Sequence, residues 1–185
     1  MSAAELATTY IDELTAALRS IAPETIAHIA GILDRARQEG RKIFVFGNGG
    51  SAATASHVAL DLNKTTVRSG APRLRAIALT DSAPLITAWA NDTDYRNVFV
   101  EQLRNFVEAG DVVIAISGSG RSPNVLEATR AAGEAGAVTI GLTGFEGGDL
   151  HQLVDVGLVV RSNVMGQVED AHLAIGHILT ALLSR

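Results

Sequence analysis

His57 and Asp61 stand four residues apart in a stretch with helical periodicity, so an imidazole and a carboxylate share one helix face. Such a pair can ligate a metal or share a proton; its plainer reading is a surface ion pair. Near the other end of the chain, Glu169, Asp170, His172 and His177 fall in a second helical stretch. Eight helical residues turn about 80° beyond two full turns, so Glu169 and His177 lie on one broad face. Asp170 is angularly even closer to His177, and spacing alone leaves the choice between the two acids open. The plainer reading here is a solvated acidic first turn, favourable for the helix dipole.

Two loops offer a different chemistry. Gly47-Asn48-Gly49-Gly50-Ser51 follows one apolar run and precedes a helix, and Ser117-Gly118-Ser119-Gly120-Arg121-Ser122 repeats the arrangement ahead of Pro123. Glycines let the backbone turn sharply and approach a ligand. The helix N-terminus behind each loop presents free N–H groups and partial positive charge, which favours an anion. Ser51 is expected to cap its helix and to donate its hydroxyl. One such loop is as readily a tight turn as a site; two in one sheet favour a ligand. The first loop lacks the Lys of a P-loop and the glycine spacing of a dinucleotide loop, so a small phosphate ester is expected. Gly141-Leu142-Thr143-Gly144 makes a third polar turn. Asn91-Asp92 reads by itself as a helix N-cap, and Lys64, Arg68, Arg73 and Arg75 as a solvated basic loop.

The elements that must carry these residues are legible in the apolar pattern. Leu6, Tyr10, Leu14 and Leu18 recur every four residues, and Ile26, Ile29 and Leu33 form a second amphipathic run ending near Gly40. Both precede any strand, so residues 1–40 are expected to be a helical pair used in oligomerisation. Five short apolar runs follow: Ile43–Phe46, Leu74–Leu79, Val112–Ile116, Val138–Leu142 and Val156–Val160. They read as parallel strands buried on both faces. Helical patterns cover Ala52–Leu62, Ala83–Ala90, Val98–Val107, Pro123–Ala135 and Val168–Leu183, whereas Gly147-Gly148 reads as a local turn. The expectation is an α/β fold, a doubly wound five-stranded parallel sheet over residues 41–185, in one domain spanning 1–185.

Composition narrows the partners. Hydrophobic residues make up 47 % and charged residues 19 %, as in a globular core, and aromatics only 4 %, so Ala, Val, Ile and Leu must fill it. A net charge of -5 argues against a nucleic-acid-binding face. The absence of cysteine excludes disulfides, thiol catalysis and zinc-thiolate sites. No apolar run has the length of a membrane span, and the first residues lack a signal-peptide pattern, so no membrane partner and a cytoplasmic location are expected.

Taken together, Gly47-Asn48-Gly49-Gly50-Ser51 with His57, Ala90-Asn91-Asp92, Ile116-Ser117-Gly118-Ser119-Gly120 with Ser122, Leu142-Thr143-Gly144 and the late His177 resemble the sugar isomerase (SIS) superfamily, and within it the phosphoheptose isomerases. The resemblance covers nearly the whole chain. It implies a flavodoxin-like sheet, a homotetramer with active sites between subunits, and conversion of sedoheptulose 7-phosphate to D-glycero-D-manno-heptose 7-phosphate in activated-heptose biosynthesis. It implies that Asn48, Gly49, Gly50, Ser51, Ser117, Gly118, Ser119 and Ser122 hold the phosphate and sugar hydroxyls, with Asn91, Asp92 and Glu169 contacting the sugar. It also implies a divalent metal, zinc, on His57, Asp61, Glu169 and His177, with Asp61 as base and His177 as acid, and it selects Glu169 over Asp170. Three positions depart from the family pattern: Asp61 replaces Glu, Glu169 replaces Gln, and Gly118 replaces the middle residue of a Ser-Thr-Ser loop. Two rival readings remain: a non-catalytic phosphosugar- or partner-binding relative, and an isomerase of another phosphosugar.

Overall fold

The apolar runs form five strands, β1 (Lys42–Gly47), β2 (Arg75–Ala78), β3 (Val112–Ser117), β4 (Val138–Gly144) and β5 (Val156–Val160). In this computed structural model, which describes residues 1–185, they lie in the order β2-β1-β3-β4-β5. Every neighbouring pair is parallel. The register sets Gly47 beside Ile116 and Ser117 beside Thr143, so the loops leaving β1, β3 and β4 emerge along one edge. The winding direction reverses between β1 and β3, the position where sheets of this kind open a crevice.

The helices are α1 (Ala3–Arg19), α2 (Pro23–Gln38), α3 (Gly50–Lys64), α4 (Ala83–Asp92), α5 (Val100–Phe106), α6 (Pro123–Glu134), α7 (Gly148–Leu153) and α8 (Met165–Leu183). They cover both faces because side chains alternate along a strand. Ile43, Val45, Val112, Ile114 and Ile116 pack with α2, α3 and α8 through Leu33, Val58 and Ile175. Phe44, Phe46, Val113 and Ala115 point the other way, onto Leu103, Val125, Ala128 and Leu150 of α5, α6 and α7. The C-terminal end of α8 is tied to α2 by the buried Arg37, whose Nη2 donates to the Leu183 carbonyl at 2.9 Å.

Four details differ from the sequence expectation. α7 stands where only a turn at Gly147-Gly148 was expected; its six residues are too few to show a period. α8 begins at Met165 rather than Val168, through a turn in which Gly166 disfavours helix and neighbouring elements hold the backbone in place. β2 is shorter than its apolar run and is an edge strand, with Ile77 40 % exposed, so it is not buried on both faces. In α1 only Ala17 is buried, and Leu6, the head of the expected stripe, is exposed. No helix is long and apolar enough to cross a membrane.

His172, on α8, is fully buried, and its Nε2–H donates to the Thr143 carbonyl at 3.1 Å, locking α8 to β4. Burial pushes its pKa down to about 4, against the opposing pull of the carbonyl bond. Below about pH 6.5 the unfolded chain therefore takes up a proton that the folded chain refuses. Stability should be undiminished above pH 6.5 and fall as the pH drops from there toward 4, by about 3 kcal/mol in all. Urea midpoints at pH 7 and pH 4.5 measure this, and His172→Asn should flatten that part of the profile.

Candidate active site

α3 starts directly after β1, and its N-cap is Gly49, at φ 54°, ψ -121°, a conformation that glycine adopts freely. Ser51 therefore lies inside the first turn and is not the cap expected from sequence. α6 has Ser122 as N-cap, and neither helix receives a side-chain capping bond. In α3 the N–H groups of Gly50 and Ser51, both in the crevice wall, are thus left without a helical partner, whereas in α6 Pro123 has no N–H and the Val125 N–H is taken by Asn124 Oδ1. The crevice is a cavity of about 230 Å³ lined by Asn48, Gly49, Gly50, Ser51, Ser117, Gly118, Ser119 and Ser122, together with Ile116, Met165 and Glu169. Ser117 Oγ and Ser122 Oγ stand 3.3 Å apart, and Ser119 Oγ accepts from the Arg121 N–H.

Three residues found here carried no sequence signal of their own. Asn124, buried in the first turn of α6, exchanges amide hydrogen bonds of 2.9 Å with Asn48 in both directions. Tyr95 donates its hydroxyl to Asn48 Oδ1 at 3.1 Å. Met165 lines the cavity from α8. All three fix or wall the first two loops through contacts distant in sequence, which no local spacing reveals. Asn91 and Asp92 do not line the cavity. They sit on the last turn of α4, exposed and bonded to each other at 2.8 Å, and are not the N-cap that the sequence alone suggested.

The first turn of α8 closes the crevice. A Cβ on Gly144 would lie 2.5 Å from Val168 Cγ1, one on Gly118 2.5 Å from Met165 Sδ, and one on Gly50 2.4 Å from Glu169 Oε1. The open middle position of the second loop is thus the space into which the Met165 side chain reaches. Glu169 rests its carboxylate against Gly50 at the positive end of α3, where a negative charge is favourable.

Further along the same two helices, His57 Nε2 and His177 Nε2 approach to 3.2 Å. Asp61 Oδ2 lies 3.6 Å from His57 Nε2 and 3.8 Å from His177 Nε2. Two imidazole nitrogens and a carboxylate oxygen this close together are a donor set that suits a divalent cation. The three residues can therefore hold a divalent cation. Glu169 is not among them; its carboxylate is at the other end of α3, over Gly50.

A parallel sheet carrying paired Gly/Ser turns at its reversal point, with a His-Asp-His cluster on the adjoining helices, defines an α/β protein with an anion-suited crevice beside a candidate cation site. The SIS domain model matches residues 9–144. The phosphoheptose isomerase of Rhodospirillum rubrum is 39 % identical over 158 residues, covering 85 % of this chain and 84 % of that protein. That of Aquifex aeolicus is 36 % identical over 171 residues, covering 92 % and 89 %. The solved phosphoheptose isomerase of Neisseria gonorrhoeae superposes with a TM-score of 0.90 at 31 % identity, covering 98 % of each chain. This chain belongs to the SIS domain family, in its phosphoheptose isomerase branch.

The separation of the two histidines depends on how closely α3 and α8 pack. Gly176, next to His177, sets this: a Cβ there would lie 2.7 Å from Cγ2 of the buried Val58. Gly176→Ala should force the helices apart and weaken the binding of an added divalent cation by about tenfold, although none of the three cluster residues is changed. Zinc titration calorimetry, with circular dichroism to establish that the helices persist, measures this.

Proposed function

We propose that this protein isomerises sedoheptulose 7-phosphate to D-glycero-D-manno-heptose 7-phosphate. The observation that carries the reading is that α3 bears both halves of a site. Its first turn belongs to the Gly/Ser crevice, and His57 follows Gly50 by about 10 Å along the helix axis. A phosphate held by Ser117, Ser119, Ser122 and the N-termini of α3 and α6 would anchor the unreactive end of the sugar. The C1–C2 edge would then reach His57, Asp61 and His177.

Aldose–ketose isomerisation moves a proton between adjacent carbons through an enediol. Asp61 would take the proton from C1 of the ketose and return it at C2, and His177 would shuttle the proton between the C1 and C2 oxygens. A divalent cation on His57, Asp61 and His177, zinc by the donor set, would polarise those oxygens. Glu169, close to the crevice, would contact the sugar and serve as a further ligand once substrate is bound. The shorter Asp61 sets its carboxylate back from the position a Glu would reach. This supports testing other phosphosugars beside the heptose.

The surface around the His-Asp-His cluster supports a multi-subunit site. Leu60 and Ile178 flank it with large exposed apolar side chains, and Ile77 stands on the adjacent sheet edge. A homotetramer, with the helical pair of residues 1–40 at its interfaces, would cover such surface and let Asn91 and Asp92 of one subunit meet the sugar of another. A cytoplasmic location fits a phosphorylated substrate.

Purified protein given sedoheptulose 7-phosphate should form the aldose heptose 7-phosphate, and light scattering should give four chains. Asp61→Asn and His177→Ala should each lower kcat by about 100-fold or more while the tetramer persists. Full activity in both variants would refute the catalytic assignment. A substrate panel yielding product only from another phosphosugar would move the substrate, and no turnover of any would favour a non-catalytic binding protein. Unchanged activity after exhaustive chelation, with no metal in the protein, would remove the zinc.

A further inference from the structure

We propose that α1 controls the sugar-phosphate crevice from outside. Tyr10 and Glu13 would act as positioning residues that hold the first turn of α8, and through it Met165 and Glu169, over the two loops. The inference rests on the reading of that crevice as the sugar-phosphate site.

The first turn of α8 has little to hold it by itself. Its N-cap, Val164, makes no side-chain capping bond, and Gly166 in the turn favours the unfolded backbone. A cavity of about 420 Å³, bordered by Glu13, Ala16, Arg161 and Asn163, leaves the connection from β5 without close packing. Val168 anchors the turn on its core side, against Gly144, and on the side facing α1 hydrogen bonds hold it. Gln167, only 2 % exposed, donates from Nε2 to Glu13 Oε2 at 2.7 Å and accepts at Oε1 from Ser162 Oγ at 2.6 Å. Tyr10 Oη donates to Asp170 Oδ2 at 2.8 Å.

The spacing makes these bonds a clamp. Residues 10 and 13 of α1 meet residues 170 and 167 of α8, three apart on each helix and in opposite chain directions. The two bonds therefore bracket the turn that carries Glu169. A Cβ on Gly166 would come within 3.0 Å of Tyr10 Oη, so the glycine that weakens the turn also gives the clamp its room. On the opposite side the same turn presents Met165 to Gly118 and Glu169 to Gly50. Neither Tyr10 nor Glu13 lines the crevice.

Tyr10→Phe, Glu13→Ala and their combination are compared with the native protein, with Glu13→Gln as the conservative control. In the substrate-free protein, amide hydrogen exchange over residues 165–170 should quicken by roughly tenfold in the combined variant, with the melting temperature little changed. KM for the heptose phosphate should rise about threefold or more, with kcat within about twofold. Glu13→Gln keeps an oxygen facing the Gln167 amide and should restore both readings. Native exchange rates in the combined variant, or native KM beside quickened exchange, would overturn the proposal; so would a loss confined to kcat. If the combined variant does not fold, Tyr10→Phe alone carries the same comparison. If the native protein does not turn over the heptose phosphate, the functional reading fails. Exchange and the affinity for inorganic phosphate then decide the clamp, with unchanged values in the variants refuting it.

Discussion

The site depends on how closely α8 approaches the carboxyl ends of β1, β3 and β4. That approach is possible because Gly50, Gly118 and Gly144 carry no side chain where Glu169, Met165 and Val168 come down. The contact at Gly144 is the least forgiving. Val168 is fully buried and its methyls are short and stiff, so an added methyl group would cost about 1–3 kcal/mol in displaced packing. The contacts at Gly118 and Gly50 meet the ends of flexible side chains, which can give way when a ligand enters. The closure is thus rigid on its core side and adjustable on its ligand side.

The same helix links the Gly/Ser crevice to the His-Asp-His cluster. Its first turn walls the crevice, and His177, two turns later, meets His57 and Asp61 where Gly176 packs on Val58. α3 is the partner along this whole length, from Gly50 to Asp61. On the proposed reading, two helices in close contact would hold the anchoring end and the reactive end of a substrate at a fixed separation, which is how binding energy remote from the reacting bond aids catalysis. Arg37 at the far end of α8 and His172 at its middle hold the helix to α2 and β4.

The strand and helix order was legible because each apolar run is short, nearly continuous and bounded by Gly, Ser or Pro. The two Gly/Ser loops were legible for a related reason: Gly and Ser cluster where a strand passes into a helix. His57 and Asp61 were readable as neighbours from their four-residue spacing. Their meeting with His177 was not, because it depends on the packing of two helices far apart in sequence; the family resemblance supplied it. Asn124, Tyr95 and Met165 were missed for that reason. The early start of α8 was missed because long-range hydrogen bonds stabilise a turn that Gly166 interrupts in the sequence pattern. Asn91 and Asp92 remain outside the crevice of a single chain, and no spacing in the sequence signals that.

The central claim, that α3 and α8 place both ends of one heptose phosphate, is tested most directly by a crystal structure of the protein grown with zinc and sedoheptulose 7-phosphate. The account predicts phosphate density against Ser117, Ser119 and Ser122, an anomalous zinc peak between His57, Asp61 and His177, and C1 and C2 of the same sugar at that metal. Phosphate bound outside the crevice, or a sugar whose C1–C2 edge lies away from the cluster, would contradict it.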